Sequence, residues 1–229
     1  MSMSPEEYFR SLPPVTKTYL CAAVGLTMAE YLGIVKIQMI ILNYGLIFSK
    51  WPQIWRLVTS FLFFGKFGMP VLFQFFILGR YLNLVETASY KPSEPGKTAE
   101  MVTFLLFGAI CLLVLAYFVP VFYLGPSLSF MVLYNWSRSD AMNHVSFWGF
   151  RIKQWHVPFV MLLMAVLMKS NPILDLFGIM VGHLWHFLTE IVPQVYGRQI
   201  IWTPNFIYRM FDNRPPRTFA GRGGYSLRD

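Results

Sequence analysis

From Leu174 to Leu188 the chain reads LDLFGIMVGHLWHFL, and no other run restricts the fold as much. Its apolar residues ask for a helix out of water. Gly178 and Gly182 stand four apart on one face, His183 follows the second glycine directly, and His186 comes one turn later. Glycines at that spacing bare the backbone, so a neighbouring helix can approach more closely than side chains would allow. Imidazoles at membrane depth need a partner or a wet cavity. The run therefore predicts a helix inside a bundle rather than one facing lipid. A Gly-x-x-x-Gly pair occurs in membrane helices of every function, and it takes its meaning from the rest of the chain.

The rest of the chain is apolar too. Of 229 residues, 55% are hydrophobic and 13% charged, and the mean hydropathy is +0.48, which places the chain among polytopic membrane proteins. Cys21 and Cys111 lie inside apolar runs, where thiols act as small packing groups, so no disulfide framework is expected. The net charge of +8 speaks first of topology, and nucleic acid is not an expected partner.

In chain order, Ser4-Pro5-Glu6-Glu7 forms a capping box for a short interfacial helix ended by Pro13-Pro14. No apolar core with a cleavage site precedes the first span, so a cleaved signal peptide is not expected. That span is predicted over Thr18 to Val35, with Glu30 near its end. Lys36 to Lys66 mixes apolar and basic residues and holds Trp51-Pro52 and Trp55-Arg56. Indole anchors and guanidinium snorkels in the headgroup layer, so this reads as a membrane-embedded loop with short amphipathic helices. The second span is predicted over Phe67 to Leu84, and ETASYKPSEPGK, Glu86 to Lys97, as a polar loop outside the bilayer. The third runs over Ala99 to Phe118 and the fourth over Val121 to Trp136. Ser137 to Gln154 is polar again, broken by VSFWGF, which suits a surface-lying stretch through Phe147, Trp148 and Phe150.

The fifth span, between Trp155 and Lys169, has only 13 residues. At ~1.5 Å each that is ~20 Å of helix against a hydrocarbon core of ~30 Å, and the fourth is short as well. A locally thinned bilayer resolves both. After the sixth span, Thr203-Pro204 starts a second interfacial helix, NFIYRMF, and the Arg/Pro/Gly-rich tail from Asp212 is expected to be disordered. Six spans put both termini on one side. That side carries 14 of the Lys and Arg residues and the other side 5, so both termini are expected in the cytosol and the Trp-Arg loop in the far compartment.

These residues, taken together, resemble the Derlins, rhomboid-like pseudoproteases of the endoplasmic reticulum. The markers are Glu7-Tyr8-Phe9-Arg10-Ser11 before Pro13, Trp55-Arg56 in QIWRLVTSFLFFG, and VSFWGF at 145 to 150, then Gly178-x-x-x-Gly182-His183 and Thr203-Pro204 before Phe206-x-Tyr208-Arg209. The resemblance implies an all-α polytopic fold, a six-transmembrane-helix rhomboid-like bundle over residues 1–211, followed by the cytosolic tail 212–229. It implies a non-catalytic component of endoplasmic-reticulum-associated degradation, in which misfolded protein substrates pass to the cytosol for ubiquitin-proteasome degradation. The family's Trp-Arg motif falls on Trp55 and Arg56, where it organises the embedded loop. Its Gly-x-x-x-Gly motif falls on Gly178 and Gly182, where it packs helices. Thinning of the bilayer is a family property as well. The implied partners are a membrane RING ubiquitin ligase complex, the AAA unfoldase valosin-containing protein, other Derlin subunits and the lipid bilayer. Many Derlins recruit the unfoldase through a short tail motif, and Phe219, Gly221, Gly223 and Leu227 supply its ingredients here, with Gly224 shifting the leucine by one. The chain carries no nucleotide-binding motif, so energy comes from the unfoldase and no cofactor is expected.

The same residues offer other chemistries. Active rhomboids pair a serine at the start of the fourth span with a histidine on the sixth, and the chain offers Ser127 and His183. Leu128, however, stands where the rhomboid Gly-x-Ser-Gly motif has the glycine that serves the oxyanion. His183 and His186 without a nearby Cys, Asp or Glu are too few for a metal site, so interhelical hydrogen bonding is expected of them. Glu30, Asp175 and Glu190 lie near span ends, where solvation is expected rather than a transporter's proton relay.

Overall fold

A computed structural model describes residues 12–47, 53–87, 97–147, 150–197, 200–201, 203–204, 206–207 and 210, with the side chains of 97, 98, 147 and 150 excepted. The described chain is mostly helical. Helix α1 (Pro14–Tyr31) starts four residues before the predicted span, because Pro14 opens the helix instead of ending the segment before it. A proline in the first turn sacrifices no hydrogen bond and arrives with its φ already set. The orphan amides of that turn find acceptors far along the chain. Val15 N donates to Glu86 Oε1 at 3.0 Å, and Thr16 N and Oγ1 donate to Glu86 Oε2 at 2.8 and 2.7 Å.

Glu86 therefore belongs to no loop. It sits 5% exposed near the end of α5 (Met69–Thr87) and caps α1 with its carboxylate, a correction to the polar loop predicted from Glu86 onward. Between α1 and α5 come three short helices, α2 (Ile37–Ile40), α3 (Tyr44–Ile47) and α4 (Trp55–Leu62), in the stretch where short helices were expected. Backbone bonds hold this stretch against the turn after α6 (Lys97–Phe118): Leu42 N donates to Phe122 O at 2.8 Å and Leu124 N to Ser60 O at 2.7 Å. Two tyrosines reinforce it, Tyr19 to Phe61 O and Tyr44 to Leu113 O, both at 2.6 Å.

Helix α7 (Gly125–Ser139) is the centre of the molecule. Every residue from Gly125 to Asn135 is buried, four of them polar or small, because α7 has neighbours on all sides. It packs chiefly on α9 (Pro172–His186) and α5, and also on α6 and α8 (Val157–Leu167). Asn171 caps α9, its side chain accepting from Ile173 N at 3.1 Å. The helix then widens into a π-turn over Phe187–Ile191 before α10 (Val192–Tyr196). Pro193 explains the widening, since it has no amide for the carbonyl four residues back.

The all-α expectation holds for most of the described chain, with one local exception. His144–Phe147 (β1) and Phe150–Lys153 (β2) form an antiparallel hairpin in which Val145 faces Ile152 and Phe147 faces Phe150. The pattern is legible in retrospect, because alternating apolar residues flank a two-residue connection ending in glycine. A lone hairpin is marginal, and here α7 supports it. Gln154 N donates to Asn143 O at 2.8 Å, and Gln154 Nε2 to Trp136 O at 2.7 Å near the end of α7.

Among the described residues, two helical segments are long and apolar enough to cross a bilayer, Ala99–Phe118 and Pro172–Tyr196. With 15 residues in α7 and 11 in α8, these helices reach only ~22 and ~16 Å.

Candidate functional site

The two glycines of α9 lie flush on the backbone of α7. A Cβ on Gly178 would collide with the carbonyl oxygen of Ser127 and stand 2.7 Å from Phe130 Cβ. On Gly182 it would stand 3.0 Å from Met131 O and from Tyr134 Cβ. Later residues of one helix meet later residues of the other, so α7 and α9 run parallel. On a second side of α7, a Cβ on Gly108 of α6 would strike the Met131 thioether, which is flexible where a carbonyl is not. The close approach predicted for residues 178 and 182 thus has a defined partner, and that partner is the buried helix carrying Ser127.

Ser127 and His183 are not brought together as a dyad. Ser127 is fully buried and its Oγ has no hydrogen-bond partner. His183 Nδ1 lies 2.8 Å from Tyr134 Oη, two turns along α7 from Ser127, with the rings edge to face at 5.8 Å. Seven residues of helix separate the serine from that tyrosine by ~10 Å along the axis. His186 is half-buried, and its Nδ1 is buried without a partner. Among the described residues no group of three His, Cys, Asp or Glu is placed to hold a metal.

Trp55 and Arg56 part company in the fold. Trp55 is 53% exposed, as an interfacial indole would be, but Arg56 is 4% exposed and does not snorkel. Its Nε donates to Gln53 Oε1 at 2.6 Å, and its Nη1 donates to Gln38 O at 2.6 Å and Ile41 O at 2.7 Å. Thr59 Oγ1 adds a bond to Ile40 O at 3.0 Å. The guanidinium is a clasp between α2 and α4, gathering carbonyls at the end of a four-residue helix that would otherwise be orphaned.

Asp175 departs most from its sequence reading. It is fully buried rather than solvated, and neither carboxyl oxygen has a hydrogen-bond partner. Gln74 on α5, 3% exposed and with its own Oε1 unpartnered, lies within side-chain reach. Glu30 and Glu190 are half-buried. The sequence reading missed Gln74, Tyr134, Arg138 and Glu86 as structural partners, since nothing local marks them. The tail residues Phe219, Gly221, Gly223 and Leu227 lie outside the described residues, as do Trp148, Trp51 and Pro52.

Comparison with known proteins adds an independent observation. Residues 12–205 match the Der1-like family. The chain is 36% identical over 241 aligned residues to Derlin-2 of Oryza sativa subsp. japonica, covering 97% of this chain and 95% of the relative. It is 35% identical to Derlin-2.2 of Arabidopsis thaliana, covering 94% and 91%, and 33% identical to a probable derlin-2 homolog of Dictyostelium discoideum, covering 93% and 85%.

Proposed function

This chain belongs to the Der1-like family, and from that premise we propose that it is a non-catalytic component of endoplasmic-reticulum-associated degradation. In this reading it spans the endoplasmic reticulum membrane six times with both termini in the cytosol. Misfolded proteins leave through it toward a membrane RING ubiquitin ligase and the AAA unfoldase valosin-containing protein, with other Derlin copies alongside. The unfoldase supplies the energy, and the membrane domain lowers the barrier.

The observation that carries the non-catalytic reading is the seam between α7 and α9. In it Gly178 packs against the carbonyl of Ser127, the Ser127 hydroxyl has no base beside it, and His183 is engaged with Tyr134. Acyl transfer by serine needs its base within hydrogen-bond reach. Leu128 in place of a glycine weakens any oxyanion hole as well, a loss of ~10² to 10³ in rate for one donor. The parallel course of α7 and α9 supports the six-span count, because alternate spans of an alternating bundle run the same way. The shortness of α7 and α8 supports a thinned bilayer, which reduces the apolar thickness a polar chain has to cross.

The test is a degradation chase of a misfolded lumenal reporter in cells lacking the protein, rescued with wild type, Arg56→Ala or Ser127→Ala. Wild type and Ser127→Ala should restore turnover, whereas Arg56→Ala should leave uncleaved reporter at the membrane. A cleaved fragment with wild type that disappears with Ser127→Ala would instead make the chain an active intramembrane serine protease using Ser127 and His183.

A further inference from the structure

Beside the seam, where α7 ends, three polar side chains form a chain of contacts, with no acid in it among the described residues. Arg138 Nε donates to Tyr134 Oη at 3.0 Å, and its guanidinium carbon lies 4.9 Å from the centre of the Tyr134 ring. The same Oη lies 2.8 Å from His183 Nδ1. Because Arg138 already donates to that oxygen, the tyrosine's own proton is free for Nδ1, and His183 then carries its proton on Nε2. Among the described residues no hydrogen bond engages the terminal nitrogens of Arg138 or that Nε2–H. His186, one turn on, lies in the field of both Arg138 and His183, and its Nδ1 is buried with nothing to bond. No carboxylate pairs with Arg138, His183 or His186 among the described residues.

The cluster lies at the end of an exposed apolar stripe. Ile173, Leu176, Met180, Leu184 and Phe187 are 41 to 49% exposed and recur every three or four residues along α9 and into the π-turn. His183 is exposed and stands on the helix surface between the glycine face and this stripe. Arg138, in the last turn of α7, marks where that short helix stops, while the segment begun by α9 runs on to Tyr196. An exposed apolar strip thus leads to the Arg138–Tyr134–His183 cluster, at the level where a thinned bilayer would place its headgroups.

We propose that Arg138 and His183, tied together through Tyr134, hold the phosphate of an anionic phospholipid whose acyl chains lie along Met180, Leu184 and Phe187. Arginine suits this role because its planar fork bonds two phosphate oxygens at once. The bound lipid pins the headgroup layer to the end of α7, so the thin patch is held by a specific contact as well as by the shortness of the helix. A soluble phosphate compound shares the headgroup chemistry but has no use for the stripe. The proposal rests on the membrane reading above, but its readout is lipid binding and not substrate turnover, so the two stand or fall separately.

The experiment is native mass spectrometry of the full-length protein in neutral detergent, titrated with dioleoyl phosphatidic acid, dioleoyl phosphatidylcholine or glycerol 3-phosphate. Wild type should take up one phosphatidic acid per chain about tenfold more tightly than phosphatidylcholine. Arg138→Gln and His183→Gln should each abolish that preference, and Tyr134→Phe should reduce it. The exposed Arg80, changed to Gln, should leave it intact. Arg138→Lys keeps the charge without the Nε–H bond to Tyr134, and it serves if the glutamine variant does not fold: it too should lose the preference. Equal binding of the two lipids, an equal loss in Arg80→Gln, full affinity in Arg138→Lys, or competition by glycerol 3-phosphate as strong as by the lipid would each overturn the proposal.

Discussion

Arg56 shows how much one side chain can do when it is buried on purpose. A guanidinium in the headgroup layer is interchangeable with other cations. One that binds Gln53 Oε1 and the carbonyls of Gln38 and Ile41 is not, because its fork meets three acceptors in fixed directions. Arg56→Lys keeps the charge and should still fail, costing about 1–3 kcal/mol for carbonyls left without donors. Thermal unfolding in detergent, followed by circular dichroism, measures it, and a melting temperature equal to wild type would return Arg56 to the role of a snorkelling cation. The motif Trp55-Arg56 was readable in the sequence, but its acceptors were not. Two of the three are main-chain carbonyls, at residues 38 and 41, and a sequence pattern does not say which carbonyls will lack partners.

At the scale of elements, the glycines of two helices predict opposite outcomes. Gly178 lies on the carbonyl of Ser127, and a methyl group there forces α7 and α9 apart. Gly25, in α1, has nothing within 4 Å of where its Cβ would be. Gly178→Ala should therefore destabilise by about 1–3 kcal/mol through overpacking, whereas Gly25→Ala should stabilise by about 0.5–1 kcal/mol because alanine is the better helix former. The same unfolding assay reads both, and matching shifts in the two variants would mean that the seam is not close-packed. The spacing of Gly178 and Gly182 announced a close contact, and apolar run lengths located the long helices to within a few residues. The hairpin at 144–153 was not anticipated, since four-residue strands give too short an alternation to outweigh an aromatic run that also suits an interface.

Across the whole molecule, Glu86 ties the end of α5 to the first turn of α1 through three hydrogen bonds, and its charge sits at the positive end of that helix. Glu86→Gln keeps the shape and removes the charge. It should cost about 1–2 kcal/mol and loosen the start of α1, seen as faster amide exchange at residues 15 and 16. Unchanged exchange there would mean that α1 is held by packing alone. By itself the sequence determined that this is an apolar, helical, membrane-class chain with a glycine seam in its last long helix. Hydrophobic run length, proline and glycine positions and charge asymmetry are local properties that survive without a fold. Only the tertiary structure decided which groups meet: Gly178 with Ser127 O, His183 with Tyr134, Arg56 with Gln38 and Ile41, and Glu86 with Val15 and Thr16. A buried polar group is satisfied by whatever the packing brings within about 3 Å, and across separations of up to 71 residues nothing in the local pattern specifies that partner.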